Sequence, residues 1–169
     1  MFVDNYSTAY DQLFVIIAAT VFTVWGVSLS YFDLTQRRLP DSLTLPAIPI
    51  MLMWALMTGH FGAALLGATL WWLLYVGAAL VTPHSYGGGD IKLAATVGGI
   101  AAVAGGALGW FVAVIAAGVC TGMAGIVLAA RARTRSGSLS SISSSRRIPH
   151  GPGMLIGTCA ALLLGVTWV

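Results

Sequence analysis

The feature that most constrains the fold is a series of six long apolar segments joined by short connections. About 20 residues of helix cross the hydrocarbon core of a bilayer, and most of these segments approach that length. The sequence is 58% hydrophobic and only 8% charged, which argues against a soluble domain. We therefore predict an all-α membrane protein, a polytopic bundle of six transmembrane helices in one domain over residues 1–169. The predicted spans are residues 12–32, 43–58, 61–82, 91–104, 107–130 and 152–168.

The basic residues test this count, because Lys and Arg collect in the cytoplasmic connections of membrane proteins. The second and fourth connections carry none of them. All eight lie in, or directly beside, the first, third and fifth connections: Arg37, Arg38, Lys92, Arg131, Arg133, Arg135, Arg146 and Arg147. This alternation predicts that these three connections are cytoplasmic and that both termini are extracytoplasmic.

Residues 131–150 form the longest predicted connection, which is basic and rich in serine. Arginines beside a bilayer attract anionic lipid headgroups. The positive-inside bias also accounts for the formal net charge of +3. We therefore expect this cytoplasmic loop to lie at a membrane surface, with possible contacts to anionic lipid, and we expect no nucleic-acid partner.

Two aspartates are unusual for such an apolar chain. All five acidic residues are Asp, and Asp4 and Asp11 precede the first predicted span. Asp33 follows the end of that span and Asp90 precedes the fourth. Ionisable residues near the hydrocarbon are costly and usually functional. The predicted topology places Asp33 and Asp90 at the same cytoplasmic boundary, where two carboxyl groups on different helices can face each other.

Such a pair has a recognised chemistry. Two carboxyl groups at short distance in a poorly solvated site share one proton near neutral pH, as in aspartic proteases. One then activates a water molecule while the other protonates the scissile carbonyl. The run of Gly87, Gly88 and Gly89 before Asp90 leaves room for an extended peptide. No metal, cofactor or covalent nucleophile is needed, and no HExxH or GxSxG motif is present.

Each of these residues also has a purely structural interpretation. Asp90 after three glycines is suited to capping the fourth helix, and Asp33 is suited to an interfacial position beside Arg37. Asp41 competes for the catalytic role, but its position after Pro40 predicts an N-cap. Lys92 is suited to binding lipid phosphate, neutralising a carboxylate, orienting substrate or simply anchoring a helix at the interface.

Three ordered motifs resemble those of the type IV prepilin peptidases, bacterial members of the GxGD aspartyl intramembrane proteases. Asp33-Leu34 is followed by Leu39-Pro40-Asp41, and later by the segment from Gly87 to Leu93 that contains Gly-Gly-Gly-Asp. The segment Ile148-Pro149-His150-Gly151-Pro152 is similar to the Pro-aromatic-Gly-Pro segment that opens the last helix in that family, with His150 in the aromatic position.

This resemblance implies an aspartic endopeptidase in which Asp33 and Asp90 are catalytic. Its implied partners are membrane-inserted prepilins or pseudopilins, whose leader is cut at the cytoplasmic face of the bacterial inner membrane. Larger family members carry paired CxxC motifs and an N-methyltransferase activity. Because this sequence has no CxxC, it is more similar to the short, peptidase-only form of Tad/Flp-type pilus systems, and methylation is not expected.

Two functions of other classes compete with the protease. Intramembrane acids also bind protons and cations in transporters and channels, which would give Asp33 and Asp90 a role in ion flux. The other alternative is a non-catalytic assembly factor of a pilus or secretion apparatus. The position of both acids at span ends, rather than in the middle of a span, favours the protease over the transporter.

Overall fold

The computed structural model describes residues 2–82, 87–136 and 150–166, and these residues contain helices and no strands. The all-α prediction is therefore confirmed for this part of the chain. The helices are α1 (Phe2–Gln36), α2 (Asp41–Thr44), α3 (Ala47–Met57), α4 (Phe61–Val81), α5 (Gly88–Ser136) and α6 (Gly151–Val166).

Three helical stretches within the described residues are long and apolar enough to cross a bilayer: Gln12–Gln36, Phe61–Val81 and Gly88–Arg131. Two shorter apolar stretches are Asp41–Met57 and Gly151–Leu163. Large apolar side chains such as Val24, Leu66 and Ile115 point outward and are more than half exposed. Such a surface suits lipid, where helices satisfy their own backbone polar groups. The count of six spans and the sides of the termini remain predictions.

Gly106 divides α5 into two arms, residues 88–105 and 107–136. Its backbone angles (φ 58°, ψ −153°) are not helical. The Gly98 carbonyl in the first arm and the Trp110 ring in the second both lie against Gly67 of α4. In one straight helix those two residues would be about 18 Å apart, so the arms fold back on each other. The division falls between the predicted spans 91–104 and 107–130.

Small residues hold the helices close together. The second arm of α5 runs beside α6, where Gly157 packs on the backbone of Ala113 and Gly153 packs on Ala117. The first arm packs on α4 through Gly67 and Gly98. Close backbone approach of this kind is typical of helices in lipid, where the hydrophobic effect gives no drive for association. The packing is anchored by the Trp110 indole, which donates a hydrogen bond to the Gly67 carbonyl (3.0 Å).

The structure differs from the predicted spans in two places. The predicted span 43–58 is broken into α2 and α3 at Pro46, because proline cannot continue the hydrogen bonding of a preceding helical turn. The predicted loop 131–150 begins too early, since α5 continues to Ser136 through arginines that favour helix. The rest of that loop, residues 137–149, lies outside the described residues, as do residues 167–169 at the end of the last predicted span.

Candidate active site

Asp33 lies in the last turn of α1 and is only 6% exposed. The helix ends because Arg37 adopts a left-handed conformation (φ 52°), and the Arg37 amide donates a hydrogen bond to the Asp33 carbonyl (3.0 Å). This is the αL motif that commonly closes helices, usually with glycine at the left-handed position. The end of α1 thus fixes the backbone of Asp33, and a non-glycine residue bears the strain.

The side chain of Asp33 is held by the start of α6. Its Oδ2 atom accepts a hydrogen bond from the Gly151 amide (2.9 Å), although 118 residues separate the two in the sequence. A helix N-terminus carries unpaired amides and a partial positive charge, which stabilise a carboxylate. Any Cβ on Gly151 would lie 2.9 Å from the same Oδ2 atom. Glycine is therefore required for the α6 terminus to approach Asp33 this closely.

Asp90 is held by its own helix. It lies in the first turn of α5, where its Oδ2 atom accepts a hydrogen bond from the Gly87 amide (3.0 Å). The Asp90 amide in turn donates to the Gly87 carbonyl (3.1 Å). This reciprocal arrangement resembles the acidic half of a capping box. Asp90 is therefore not the N-cap considered from the sequence, because α5 begins at Gly88, but its bond to Gly87 fixes the direction of a half-buried carboxyl group.

A close packing contact joins the two aspartate sites. A Cβ on Gly89 would lie 2.7 Å from the Cβ of Leu39. Leu39 follows the end of α1, and Gly89 immediately precedes Asp90, so this contact brings the end of α1 onto the start of α5. The Asp33 carboxyl group is close enough to interact electrostatically with both Asp90 and His150. The two predicted catalytic residues are thus brought to one end of the bundle.

The predicted cap at Asp41 is wrong. The residue preceding α2 is Pro40, and no side chain caps this helix. Asp41 is instead the first residue of α2, and its Oδ1 atom forms an ion pair with the Lys92 Nζ atom at 2.7 Å. Among the roles considered for Lys92, the structure therefore supports neutralisation of a carboxylate. This pair links α2 to the first turn of α5, two residues beyond Asp90.

His150 lies just before α6, next to the glycine that holds Asp33. Its ring packs edge-on against Tyr75 of α4, with ring centroids 6.2 Å apart. Burial lowers the pKa of His150 below its usual value, and the nearby Asp33 charge opposes that change. Burial thus favours the neutral form of the imidazole. The ring supplies a flat aromatic surface between α4 and the Asp33 site.

The predicted glycines have different surroundings. Gly89 is required by Leu39, whereas a Cβ on Gly88 would meet no described atom within 4 Å.

Sequence reasoning missed Leu39 and the Gly151 amide as parts of the site. The signal for Gly151 was its position at the start of an apolar segment, since helix N-termini bind carboxylates. No group of three or more His, Cys, Asp or Glu side chains in the described residues is arranged to hold a metal.

The sequence of the chain is similar to those of several known proteins. A prepilin leader peptidase/N-methyltransferase of Aeromonas salmonicida is 30% identical to the chain over 174 residues, which cover 90% of this chain and 55% of the relative. The protein of that name in Aeromonas hydrophila is 31% identical, over 88% of this chain and 50% of the relative. The one in Neisseria gonorrhoeae is 33% identical over 53% of this chain and 34% of its own length.

The chain thus spans about half the length of the Aeromonas relatives. No solved structure matches it significantly. The model of the Type IV leader peptidase family matches residues 20–126. That range includes both Asp33 and Asp90, together with the Leu39–Gly89 contact that joins their sites. By this match and by the motifs that its structure brings together, the chain belongs to the Type IV leader peptidase family.

Proposed function

We propose that this protein is an aspartic endopeptidase that removes the leader of membrane-inserted, prepilin-like substrates at the cytoplasmic face of the bacterial inner membrane. One observation carries the proposal. Asp33 and Asp90 stand on different helices, and the close contact between Leu39 and Gly89 brings their two sites together. Each has one carboxyl oxygen tied to a backbone amide at the start of a helix. Family membership supports the same assignment.

The proposed reaction uses the two carboxyl groups in opposite protonation states. The deprotonated group takes a proton from a water molecule, whose oxygen attacks the scissile carbonyl carbon. The protonated group donates its proton to the carbonyl oxygen, which gives a neutral tetrahedral intermediate. Collapse of the intermediate re-forms the carbonyl, breaks the C–N bond and passes a proton to the leaving amine. The pair ends the cycle with one proton between them, as it began.

The hydrogen bonds from Gly151 and Gly87 have a clear task in this scheme. They fix one oxygen of each carboxyl group and so limit its rotation. A fixed direction matters, because catalytic groups displaced by about 1 Å lose on the order of 10²-fold in rate. Neither amide adds a formal charge. The two aspartates thus keep their mutual interaction while their orientation is set by the backbone.

The charge distribution of the sequence supports the proposed side of the membrane. All eight basic residues fall in connections at the predicted cytoplasmic side, where the positive-inside rule places them. Anionic lipid at that surface would be attracted to the same residues. The leader junction of the substrate would then lie where its apolar segment leaves the bilayer, beside Asp33 and Asp90. The proposal covers leader cleavage and does not include methylation.

Isosteric variants test the proposal. The chain is co-expressed with a prepilin-like substrate, and leader removal is followed by gel shift and by mass spectrometry of the new N-terminus. We expect Asp33→Asn and Asp90→Asn each to lose at least about 10³-fold in cleavage rate, because each removes a proton-transfer group. Asp11→Asn, in the N-terminal part of α1, is the matched control and should cleave normally.

Other results would favour other functions. Full cleavage by either Asn variant would overturn the catalytic pair. Normal pilus assembly by both variants would favour an assembly factor. No cleavage by the unmodified chain, combined with proton or cation flux that depends on Asp33, would favour a transporter. Measuring flux into sealed vesicles alongside the cleavage assay separates these cases in one set of variants.

A further inference from the structure

A groove lies between α4 and the second arm of α5. Its volume is about 620 Å³, and its walls are mainly apolar, with Tyr75, Thr121 and His150 as the polar lining residues. Along α5 its lining extends from Val114 to Ala129, which corresponds to about 22 Å of helix. That length is roughly two thirds of the hydrocarbon thickness of a bilayer. The α4 wall consists of Trp71, Leu74, Tyr75 and Ala78.

The floor of the groove carries two open glycines. Among the residues that the structure describes, none lies within 4 Å of a Cβ placed on Gly118 or Gly122. By contrast, Gly153 and Gly157 of α6 pack against the backbone of α5 and have no room for a side chain. A glycine within a helix costs about 1 kcal/mol relative to alanine. Gly118 and Gly122 therefore leave the α5 backbone open to close approach by a helix from outside.

The groove leads to the candidate active site. His150 lines it together with Tyr75, and the two rings are in edge-to-face contact. The next residue, Gly151, donates the hydrogen bond that holds Asp33. Any chain lying in the groove therefore leaves it beside the carboxyl group proposed to be catalytic.

We propose that this groove binds the apolar transmembrane helix of the substrate and directs its polar leader junction past His150 to Asp33. This inference rests on the proposed function and adds the binding surface for the substrate. The occupant must be apolar to match the walls. It must be helical because it lies in lipid. The spacing of Gly118 and Gly122 by four residues suits close packing of two helices.

Filling the groove is the first test. Gly122→Leu places a branched side chain in the groove, and we expect it to lower the cleavage rate of a full-length prepilin-like substrate at least tenfold. Gly77→Leu is the matched control, because Gly77 is an equally open glycine of α4 that does not line the groove. It should cleave within twofold of the unmodified chain. Equal rates for Gly122→Leu and the unmodified chain would overturn the inference.

Photo-crosslinking provides a readout that does not depend on catalysis. A benzophenone amino acid replaces Ile126, which lines the groove, in an Asp33→Asn background that leaves the substrate uncut. The control position is Met123, which is 62% exposed but outside the groove. We expect crosslinks to the substrate at residue 126 and not at residue 123. Because the crosslinking assay uses no substitution that fills the groove, it tests the inference even if the Gly122→Leu variant does not accumulate in membranes.

Three other results would overturn the inference. Crosslinks between two copies of this chain at residue 126 would assign the groove to a homodimer. Crosslinks only to lipid would make it a lipid-filled surface. Equal substrate crosslinking at residues 123 and 126 would show no preference for the groove. A failure of the proposed function looks different, because the unmodified chain would then leave the substrate uncut.

Discussion

Asp33 and Asp90 are held in different ways at the same end of the bundle. Asp33 is almost fully buried and depends on a hydrogen bond from a residue 118 positions away. Asp90 is half-buried and depends on Gly87, three positions earlier and immediately before its own helix. The orientation of Asp33 therefore requires that α6 be packed correctly, whereas that of Asp90 requires only the first turn of α5. Substitutions that disturb the hold on Asp33 should therefore change the cleavage rate by a different amount from those that disturb the hold on Asp90.

Among the residues that hold the two aspartates, the largest loss of cleavage rate is expected for a substitution of Gly151. Gly151→Ala adds a Cβ that would lie 2.9 Å from the Asp33 Oδ2 atom, so the α6 terminus or the carboxyl group must move. We expect about a 10²-fold lower rate of leader cleavage, because a displacement near 1 Å is enough for such a loss. Initial cleavage rates measure it. Gly62→Ala in α4, where the Cβ meets nothing within 4 Å, is the control, and full activity of Gly151→Ala would contradict the long-range hold on Asp33.

A smaller effect is expected on the Asp90 side. Gly89→Ala places a Cβ 2.7 Å from Leu39, which should separate the end of α1 from the start of α5 slightly. The local hydrogen bond of Asp90 to Gly87 does not depend on Leu39, so we expect about a tenfold loss in cleavage rate and no more. The same kinetic assay measures it.

Gly88→Ala is the comparison for this result, since its Cβ would meet no atom of the described residues within 4 Å. A larger loss at Gly89 than at Gly88 would support packing against Leu39 as the reason for the glycine. Equal losses would instead support the clearance for substrate expected from the sequence. A larger loss of cleavage rate for Gly89→Ala than for Gly151→Ala would contradict the expectation that the Asp33 site is the more sensitive of the two.

The difference between the local hold on Asp90 and the long-range hold on Asp33 also decides which features could be predicted from the sequence. The setting of Asp90 is local. Three glycines and an Asp before an apolar segment indicate a helix start there, although Asp90 is the third residue of α5 and not its N-cap. The turn at Gly106 is local too, and it was placed between two predicted spans. The hold of Gly151 on Asp33 depends on how α6 packs against α1, which no local pattern encodes. At Asp41 the local pattern predicted a cap, but a lysine from a distant part of the sequence binds that carboxylate instead.

Lowering the pH should reduce the stability of the fold through protonation of His150, which lies beside the Asp33 site. Burial lowers the pKa of His150 in the folded state, so below about pH 6.5 the unfolded chain takes up a proton that the folded chain does not. This contribution to stability is complete above pH 6.5 and is lost as the pH falls below it. We expect the melting temperature in detergent to drop by a few degrees between pH 7 and pH 5 on this account.

The His150→Phe variant isolates this contribution. Phenylalanine preserves an aromatic contact with Tyr75 but cannot be protonated, so its melting temperature should depend less on pH. Equal slopes for the His150→Phe variant and the unmodified chain would show that protonation of His150 does not couple to folding.

The smallest effect is expected for the ion pair near Asp90. Lys92 and Asp41 are 36% and 62% exposed, and exposed pairs contribute at most about 1 kcal/mol. If Lys92 serves mainly to neutralise Asp41, then Asp41→Asn, Lys92→Met and the double variant should have similar cleavage rates, each within about fivefold of the unmodified chain. A double-mutant cycle measures the coupling. A much larger loss for Lys92→Met alone would give Lys92 a contact with lipid or substrate, and the Asp90 site would then depend on more than its own helix.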